Sequence, residues 1–338
     1  MSARPKLDRL PRTPRLGFVG LGWIGRKRLD AVAASGAVEV AALADADSAR
    51  IDDAKQAYAD AHVSPSLDAL LDQELDGVVI ATPNGSHAEQ VVACLKRGLP
   101  VFCQKPLATS AADTQRVIEA ARDADRLLAT DFSYRHVQGM ARLREILRAG
   151  ELGEVLSMDL VFHNAYGPSK QWCHDRAQAG GGCLLDLGVH LVDLALWLQG
   201  SAELRVVSSR MFAQGSVRRA GSSAIEDLAY VELQQSNGGI VRIACSWHAN
   251  IGCDAIIRAD IHAQRGGASW YNVNHSFVDF NLEMFRGTER ECIGASRDDW
   301  GPGALLQWIE QLRRDPSFDS AAWDILAGAG LIEEAYAA

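Results

Sequence analysis

An aspartate and a histidine lie four residues apart in a stretch of the chain that is otherwise apolar. Asp186 and His190 follow three consecutive glycines, and the residues around them are mostly leucine and valine. In a helix, side chains four residues apart lie next to each other on one face. Burying two ionisable groups is costly unless they have a use, and a carboxylate beside an imidazole can set up a general base. We therefore predict a proton-transfer site here.

A glycine-rich turn near the N-terminus predicts a bound dinucleotide. A short apolar strand at residues 16–19 runs into a G-x-G-x-x-G turn, and a helical stretch follows. The first glycine of such a motif permits a tight turn, the second lets the backbone approach a pyrophosphate, and the third lets the helix pack on the strand. The N–H groups at the helix N-terminus would bind the phosphates. The predicted cofactor contacts in this turn are Gly20, Gly22, Trp23, Ile24 and Gly25.

The acidic residue that ends the second strand indicates which dinucleotide is bound. The strand at residues 38–44 leads into Asp45, at the ~20-residue offset where an acid reads the ribose 2′-hydroxyl. A carboxylate there accepts a hydrogen bond from the hydroxyl and repels a 2′-phosphate, so NAD is favoured over NADP. The alternative is that Asp45 only caps the next helix, and the neighbouring Asp47 and Arg50 leave NADP possible.

Strands and helices continue to alternate in the N-terminal part of the chain, which predicts an α/β Rossmann fold with a doubly wound parallel sheet. We place this NAD(P)-binding domain at residues 14–132, after a flexible leader at residues 1–13. Ligands of such sheets bind beyond the carboxyl ends of the strands. Further predicted cofactor contacts, after the strands at 77–81 and 99–103, are Thr82, Pro83, Asn84, His87, Gln104 and Lys105.

Lys105 is the residue in this group that could take part in chemistry. It follows an apolar strand and is held by Pro106. From a cleft at the strand end, its ammonium group could act as an acid or as a hydrogen-bond donor to a substrate oxygen. The alternative is a lysine in a surface loop. His87 is expected to pack near the cofactor loop instead of taking part in the reaction.

The C-terminal part of the chain predicts a second domain of a different class. Strand follows strand after Gly150, with turn signals such as Asn237-Gly238-Gly239 between them. This order predicts an α+β domain at residues 133–338, built on a large open antiparallel sheet, that binds substrate. Helices would cover one face, and a second copy of the chain could cover the other, as in a homodimer or tetramer. Helices are predicted at 139–148, 183–198, 304–313 and 320–336.

Composition argues against several classes of partner and site. The chain has 338 residues, 48% of them hydrophobic, and a net charge of −9 with acidic and basic residues intermixed, which argues against nucleic acid or an anionic membrane. We identify no apolar run of the ~18 residues that a bilayer span requires, and no signal peptide. The seven cysteines are scattered singly, which indicates a reduced, cytoplasmic protein without a metal site.

Three motifs, taken together, resemble the glucose-fructose oxidoreductase / inositol dehydrogenase / rhizopine-catabolism (Gfo/Idh/MocA) family. They are Gly20-x-Gly22-x-x-Gly25, Gln104-Lys105-Pro106 and Gly180-Gly181-Gly182-x-x-x-Asp186-x-Gly188-x-His190-x-x-Asp193. The resemblance runs over nearly the whole chain after the leader. It implies a Rossmann domain followed by an open-faced sheet domain. It also implies an enzyme that interconverts a secondary alcohol and a ketone on a sugar, cyclitol or related polyol with a nicotinamide cofactor.

The resemblance further implies a catalytic group of Lys105, Asp186 and His190. His190 would take the proton from the substrate hydroxyl while hydride leaves the carbon. Lys105 would hydrogen-bond the same oxygen, and Asp186 would orient and tune the pair. The chain departs from the family at Gln104, where a glutamate is common, so the charge beside the cofactor and the lysine differs.

Other residues are candidates for the substrate pocket. The aromatic face of Trp172 suits the C–H face of a sugar, while His174 and Arg135 offer polar contacts to its hydroxyl groups. A structural role is the alternative for each of the three.

Two other activities remain open on the same scaffold. One is cleavage of a glycosidic bond by a redox lyase or hydrolase that reduces a tightly bound NAD only transiently. The other is a non-catalytic regulator that binds the nucleotide without turnover.

Overall fold

A computed structural model describes residues 13–200, 203–297 and 301–338, which form two compact units. The first unit holds the described residues up to Ala108, together with Ala112–Asp131 and Pro302–Ile325. The second unit holds Thr109–Ala111, the described part of Phe132–Gly301, and Leu326–Ala338. Residues 1–12 of the predicted leader lie outside the described residues.

The first unit is built on a parallel sheet. Its strands are β1 Arg15–Val19, β2 Glu39–Ala44, β3 His62–Val63, β4 Gly77–Ile80, β5 Val101–Cys103 and β6 Leu128–Thr130. The order of the six strands is β3-β2-β1-β4-β5-β6, which is that of the dinucleotide-binding Rossmann fold. Strands β4 and β5 are buried along their whole length, as expected where both faces of a sheet are covered. The predicted doubly wound parallel sheet is confirmed.

The helices of the described chain are α1 Trp23–Ala34, α2 Ser48–Ala57, α3 Leu67–Leu71, α4 Asn84–Lys96, α5 Ala111–Ala124, α6 Met140–Arg148, α7 Arg176–Ala179, α8 Val189–Gln199, α9 Gly303–Arg314 and α10 Trp323–Ala337. Short 3₁₀ turns lie at Ser133–His136, Gln171–His174 and Ser320–Ala322. From the sequence, α2 was expected only as the helix after Asp45, without bounds, and α7 was not predicted.

Helix α9 lies in the first unit, although the sequence predicted it beside the C-terminal sheet. Its apolar residues recur every three or four positions, which gives the helix one buried stripe. Leu305, Trp308 and Leu312 of this stripe belong to the same core as Phe18 and Phe102 of the parallel sheet. The rings of Trp308 and Phe102 lie 5.9 Å apart. The prediction for this helix is wrong because an amphipathic pattern shows that a helix is buried but not which sheet buries it.

The second unit is built on a large sheet. Its strands are β7 Val155–Asn164, β8 Leu204–Ala213, β9 Ser216–Val217, β10 Leu228–Gln235, β11 Ile240–Ser246, β12 Ala255–Ala263, β13 Gly266–Asn272, β14 Asp279–Arg286 and β15 Glu289–Arg297. The order of the nine strands is β15-β14-β13-β12-β7-β11-β10-β8-β9. Neighbouring strands are antiparallel except for β7 and β11, which are parallel. The predicted large antiparallel sheet is confirmed, with one parallel pair at its centre.

Three strands of this sheet, β9, β13 and β15, were not predicted from the sequence. Strand β13 begins with Gly266 and Gly267, which resemble a turn, although the strand lies inside the sheet. Strand β15 carries several charged residues and lies at the edge of the sheet. Glycine and charged residues are depleted in strands, so local composition alone does not indicate these elements. Charges on an edge strand discourage pairing with another chain.

The helix that carries Asp186 and His190 begins with a π-helical turn at Leu184–Gly188 and continues as α8. The sequence predicted a regular helix, so this wider first turn differs from the expectation. The most apolar 18-residue window of the stretch Arg176–Gln199 has a mean hydropathy of 1.5, so by length and composition this stretch could cross a membrane, contrary to the expectation from the sequence. Because 83% of its most apolar window is buried inside the protein, packing accounts for the apolar composition.

Candidate active site

The glycine turn of the first unit has a shape that fits a pyrophosphate. Gly20 has a φ of +88°, and a Cβ there would lie 2.5 Å from the backbone of Ala81. A Cβ on Gly25 would lie 2.0 Å from the carbonyl oxygen of Gly20. Gly22 is the N-cap of α1 and has no side chain to cap the helix. A phosphate can therefore take the place that a capping side chain has at other helices.

Trp23 and Ile24 form the start of α1 beside this turn. Trp23 is exposed, and the Nζ atom of Lys27 lies 5.3 Å from the centre of its ring. Ile24 is half-buried. Their predicted contacts with the cofactor stay predictions.

Asp45 follows β2 and holds the glycine turn. Its Oδ2 accepts a hydrogen bond from the backbone N–H of Leu21 at 2.6 Å, and its Oδ1 accepts one from that of Asp47 at 2.8 Å. Asp47 is the N-cap of α2, so the alternative that Asp45 caps this helix is wrong. Nη1 of the half-exposed Arg50 lies 3.7 Å from Asp45 Oδ2, where a guanidinium could also pair with a 2′-phosphate. The preference for NAD over NADP stays a prediction.

His87 joins two loops of the predicted cofactor site. It is buried in α4, with Nδ1 2.7 Å from the carbonyl oxygen of Pro106 and Nε2 2.9 Å from that of Thr82. Burial lowers the pKa of His87, while the two carbonyl contacts oppose this shift. The two loops follow β4 and β5, and the same stretch after β4 supplies Pro83 and Asn84 at the start of α4. The two carbonyl contacts of His87 therefore hold these two loops together.

Gln104 directs its amide into the interior of the first unit. Its Nε2 donates a hydrogen bond to Oδ2 of Asp131, and the same oxygen accepts one from Nε of Arg28 at 2.6 Å. All three side chains are buried. A glutamate at this position could not donate this hydrogen bond in its ionised form. Lys105, the next residue, is half-buried at the carboxyl end of β5.

We expect Gln104→Glu to destabilise the first unit, because it would place a second carboxylate beside that of Asp131. The guanidinium of Arg28 would then have to balance two buried negative charges. The expected loss in free energy of unfolding at pH 8 is about 1–3 kcal/mol. Burial and the charge of Asp131 would raise the pKa of the introduced carboxyl. The loss should therefore shrink as the pH falls through that raised pKa.

Urea unfolding of the variant and the parent protein at pH 5 and pH 8 measures this effect. Gln115→Glu is the matched control, because Gln115 also donates its amide to a carboxylate, that of Glu119, but on the exposed surface. That control should change stability by less than about 0.5 kcal/mol. Equal losses for the two variants would contradict the prediction.

In the second unit, the predicted carboxylate and imidazole are held by two aromatic residues. Oδ2 of Asp186 accepts a hydrogen bond from the indole Nε1 of Trp247 at 3.1 Å. His190 is buried, and the ring of Tyr134 meets it edge-on with 5.0 Å between the ring centres. The π-helical turn lies between the three glycines and α8, so it holds Asp186 and leads into His190. Such turns are frequent at functional sites.

Arg135 is engaged by a residue one turn beyond His190. Its guanidinium donates to both carboxylate oxygens of Asp193, with Nε at 2.8 Å from Oδ2. The same guanidinium lies 5.3 Å from the ring of Phe132 and 6.0 Å from that of Trp197. This geometry is that of a brace for α8 within the second unit, a structural role other than the brace between domains that was the alternative to substrate contact. The substrate role of Arg135 stays a prediction.

The segment before the three glycines contributes one predicted substrate residue to the surroundings of Asp186. The ring centre of His174 lies 6.3 Å from that of Trp247, the indole that binds Asp186. The Nε2 of His174 lies 3.1 Å from the carbonyl oxygen of Pro168. Trp172 is half-buried, and its ring lies 5.8 Å from Nζ of Lys170. The structure thus brings His174 and Asp186 to one indole.

Trp247 is a residue of this site that the sequence analysis did not select. It directly follows the apolar strand β11, and buried tryptophans commonly find a partner for their N–H. That signal could have suggested a polar partner, but not Asp186. Of the predicted catalytic residues, Lys105 lies in the first unit, and Asp186 and His190 lie in the second.

Two stretches of the chain match known protein families. Residues 14–132 match the oxidoreductase family with an NAD-binding Rossmann fold, and residues 140–269 match the GFO/IDH/MocA C-terminal domain. Inositol 2-dehydrogenase 2 of Saccharopolyspora erythraea is 30% identical over 327 residues. This similarity covers 95% of this chain and 91% of that protein.

Solved structures show the same fold. A 3-ketoreductase from Actinomadura kijaniata, in complex with NADP and TDP-benzene, has a TM-score of 0.82 at 20% identity and covers 95% of this chain and 96% of its own. GenD2 from gentamicin A biosynthesis, in complex with NAD, has a TM-score of 0.79 at 23% identity. The match covers 99% of this chain and 96% of the GenD2 chain. The family matches agree with the motifs of both units. The chain therefore belongs to the Gfo/Idh/MocA family of oxidoreductases, whose N-terminal domain is an NAD-binding Rossmann fold.

Proposed function

We propose that this oxidoreductase interconverts a secondary alcohol and a ketone on a sugar, cyclitol or related polyol. The observation that carries the proposal is the placement of Asp186 and His190 on one buried helix, with Trp247 bound to the carboxylate and Tyr134 packed on the imidazole. The inositol dehydrogenase named above supports a cyclitol as substrate, and the 3-ketoreductase, by its name, supports chemistry at a ketone.

Each catalytic residue has a separate task in this proposal. His190 takes the proton of the substrate hydroxyl in oxidation and returns it in reduction. Asp186 orients the imidazole from the same helical segment. Lys105 donates a hydrogen bond to the same substrate oxygen. A bound nicotinamide supplies the hydride acceptor or donor. Trp172 and His174 are proposed to contact the substrate.

The residues of the glycine turn are proposed to hold the dinucleotide. The missing side chains of Gly20 and Gly25 let the turn pack closely on its own backbone, and Gly22, the N-cap of α1, leaves the start of the helix open to the pyrophosphate. Asp45 would accept a hydrogen bond from the ribose, and Arg50 beside it could accommodate a 2′-phosphate. We propose NAD as the preferred cofactor, with NADP as the second candidate.

A screen of substrates tests the proposed function. Purified protein would be incubated with NAD or NADP and a panel of sugars, cyclitols and sugar acids, and nicotinamide absorbance would be recorded. We expect reduction of the cofactor by at least one polyol. Cleavage of aryl glycosides without a net change in absorbance would favour the redox lyase or hydrolase. Cofactor binding without turnover of any compound would favour the regulator.

We also propose that two copies of the chain associate through the open face of the large sheet. Across this face, Arg210, Tyr230, Ala244 and Val161 are paired neighbours on successive strands. Tyr230 is 49% exposed. Arg242, two residues before Ala244 on β11, is an exposed charged residue on the same face. An apolar centre within a charged surround is typical of an interface between subunits.

We expect Val161→Arg to convert the oligomer to a monomer, because it would bury an unpaired charge at the centre of the interface. Light scattering after gel filtration measures the mass of the variant and the parent. Val63→Arg, on an exposed strand of the first unit, is the matched control and should leave the mass unchanged. A monomeric parent protein, or a variant of unchanged mass, would contradict the proposed interface. From the singly scattered cysteines we also propose a cytoplasmic location.

A further inference from the structure

A fully buried glutamate caps the helical segment that carries Asp186 and His190. Oε1 of Glu226 accepts hydrogen bonds from the backbone N–H groups of Gly182 and Leu184, each at 3.0 Å. The same oxygen accepts a hydrogen bond from the hydroxyl of Tyr336 at 2.7 Å. The backbone oxygen of Glu226 accepts from the N–H of Cys183 at 2.9 Å. The first N–H groups of a helix lack partners within the helix, so this residue supplies them.

The three glycines before the helix are shaped to receive this cap. A Cβ on Gly182 would lie 2.0 Å from the backbone oxygen of Glu226, and one on Gly181 would lie 2.2 Å from the hydroxyl of Tyr336. Gly180 has a φ of +80°, which side chains other than glycine rarely adopt. The glycines thus allow close contact with two residues that lie far along the chain. We call Glu226 and Tyr336 together the helix clamp.

The clamp also connects with the indole that binds Asp186. The residue after Glu226 is Asp227, whose carbonyl oxygen accepts a hydrogen bond from the backbone N–H of Trp247 at 2.7 Å. The side chain of Trp247 in turn donates to Asp186. One short segment therefore fixes both the start of the helix and the partner of its carboxylate. A shift of the first turn would change the distance between Asp186 and Trp247.

The surroundings compensate the charge of Glu226 only in part, because its Oε2 is buried and has no hydrogen-bond partner among the described residues. Burial raises the pKa of Glu226, while the hydroxyl of Tyr336 and the backbone N–H groups oppose this shift. The guanidinium groups of Arg218 and Arg176 lie 5.1 Å and 5.7 Å from the centre of the Tyr336 ring. A buried carboxylate adds little to stability compared with apolar packing, so what Glu226 supplies here is a defined geometry.

We propose that Glu226 and Tyr336 are positioning residues for Asp186 and His190, an inference that rests on the proposed function of that pair. The clamp holds the first helical turn at a fixed place relative to Trp247, and thereby sets the orientation of the carboxylate and the imidazole towards the substrate. Neither residue of the clamp touches the reacting atoms in this proposal.

Tyr336→Phe tests the proposal with the least change in shape, since only the hydroxyl is lost. Misplacement of a catalytic group lowers the rate more than the affinity, so we expect kcat to fall about tenfold while KM changes less than about twofold. Glu226→Ala should lower kcat by more, and Glu226→Gln, which keeps an acceptor oxygen, should recover part of the loss. Tyr58→Phe is the matched control, because Tyr58 also donates to a carboxylate at 2.7 Å, that of Asp30 in the first unit. It should leave kcat unchanged.

Hydrogen exchange provides a readout that does not depend on turnover. In Tyr336→Phe, the amides of residues 182–184 should exchange at least about tenfold faster, while those of β10 and β11 keep their protection. If the parent protein turns over no substrate, the proposed function fails. The exchange rates of the amides of residues 182–184 still test whether the clamp holds the first helical turn. Parental exchange at 182–184 would overturn the clamp, and faster exchange with parental kcat would overturn its positioning role. If Glu226→Ala does not fold, Tyr336→Phe and Glu226→Gln decide the question.

Discussion

Replacement of His190 with alanine is expected to lower kcat by about 10²- to 10⁴-fold, the range that a general acid–base residue contributes. The reason lies in the surroundings of the imidazole. His190 is buried beneath the ring of Tyr134 and shares its helix with Asp186, so water cannot readily take over the proton transfer. Steady-state turnover of the best substrate from the screen measures the effect.

The cofactor affinity of this variant should stay close to that of the parent. The predicted pyrophosphate contacts come from the glycine turn and α1, which lie in the first unit, whereas His190 lies in the second. Titration with NAD, followed by calorimetry, checks this expectation. His62→Ala is the matched control, since His62 lies exposed on β3 and has no proposed role. Full turnover in His190→Ala would remove the proposed base from the mechanism.

The pH dependence of the parent protein offers a second check on this role. A base that accepts the proton of the hydroxyl must be unprotonated in oxidation and protonated in reduction. The oxidation rate should therefore fall at acidic pH, and the reduction rate should fall at alkaline pH. The two pH profiles should show these opposite trends only if the same group accepts the proton in oxidation and donates it in reduction.

Local signals in the sequence were sufficient for most of the first unit. The three glycines of the turn form a motif that spans only six residues, so the sequence alone is enough to recognise it. The structure shows a steric reason for two of these glycines, Gly20 and Gly25. The alternating strands and helices then determine the sheet, because parallel strands joined by helices have few possible arrangements. Helix α9 was misplaced since its partner strands lie far away in the chain.

The candidate site of the second unit was only partly predictable for the same reason. Asp186 and His190 are neighbours in sequence, so their pairing on one helix follows from helical geometry. The partners that hold them do not: Glu226 lies 44 residues from Gly182, and Tyr336 lies 110 residues from Glu226. The three glycines were visible as an unusual run, but their purpose depends on these distant side chains. A single sequence contains no local signal for such contacts.

Two substitutions can distinguish whether Lys105 acts as a charged hydrogen-bond donor or as an acid that gives up its proton. Lys105→Ala should lower kcat/KM by about 10²- to 10³-fold, as expected when one hydrogen-bond donor to a reacting oxygen is removed. The geometry supports a defined position for the backbone that carries the lysine, because His87 contacts the carbonyl oxygen of Pro106 in the same loop. Initial rates with saturating cofactor measure the loss.

Lys105→Arg keeps the positive charge but replaces an ammonium, which can exchange its proton, with a guanidinium that does not lose its own. If Lys105 serves as an acid, this variant should be nearly as slow as Lys105→Ala. Recovery of more than about a tenth of the parental rate would leave Lys105 a role in hydrogen bonding alone and assign the proton to His190. Lys96→Ala, in the last turn of α4, is the matched control and should retain the full rate. Parental rates in both Lys105 variants would exclude the lysine from the reaction.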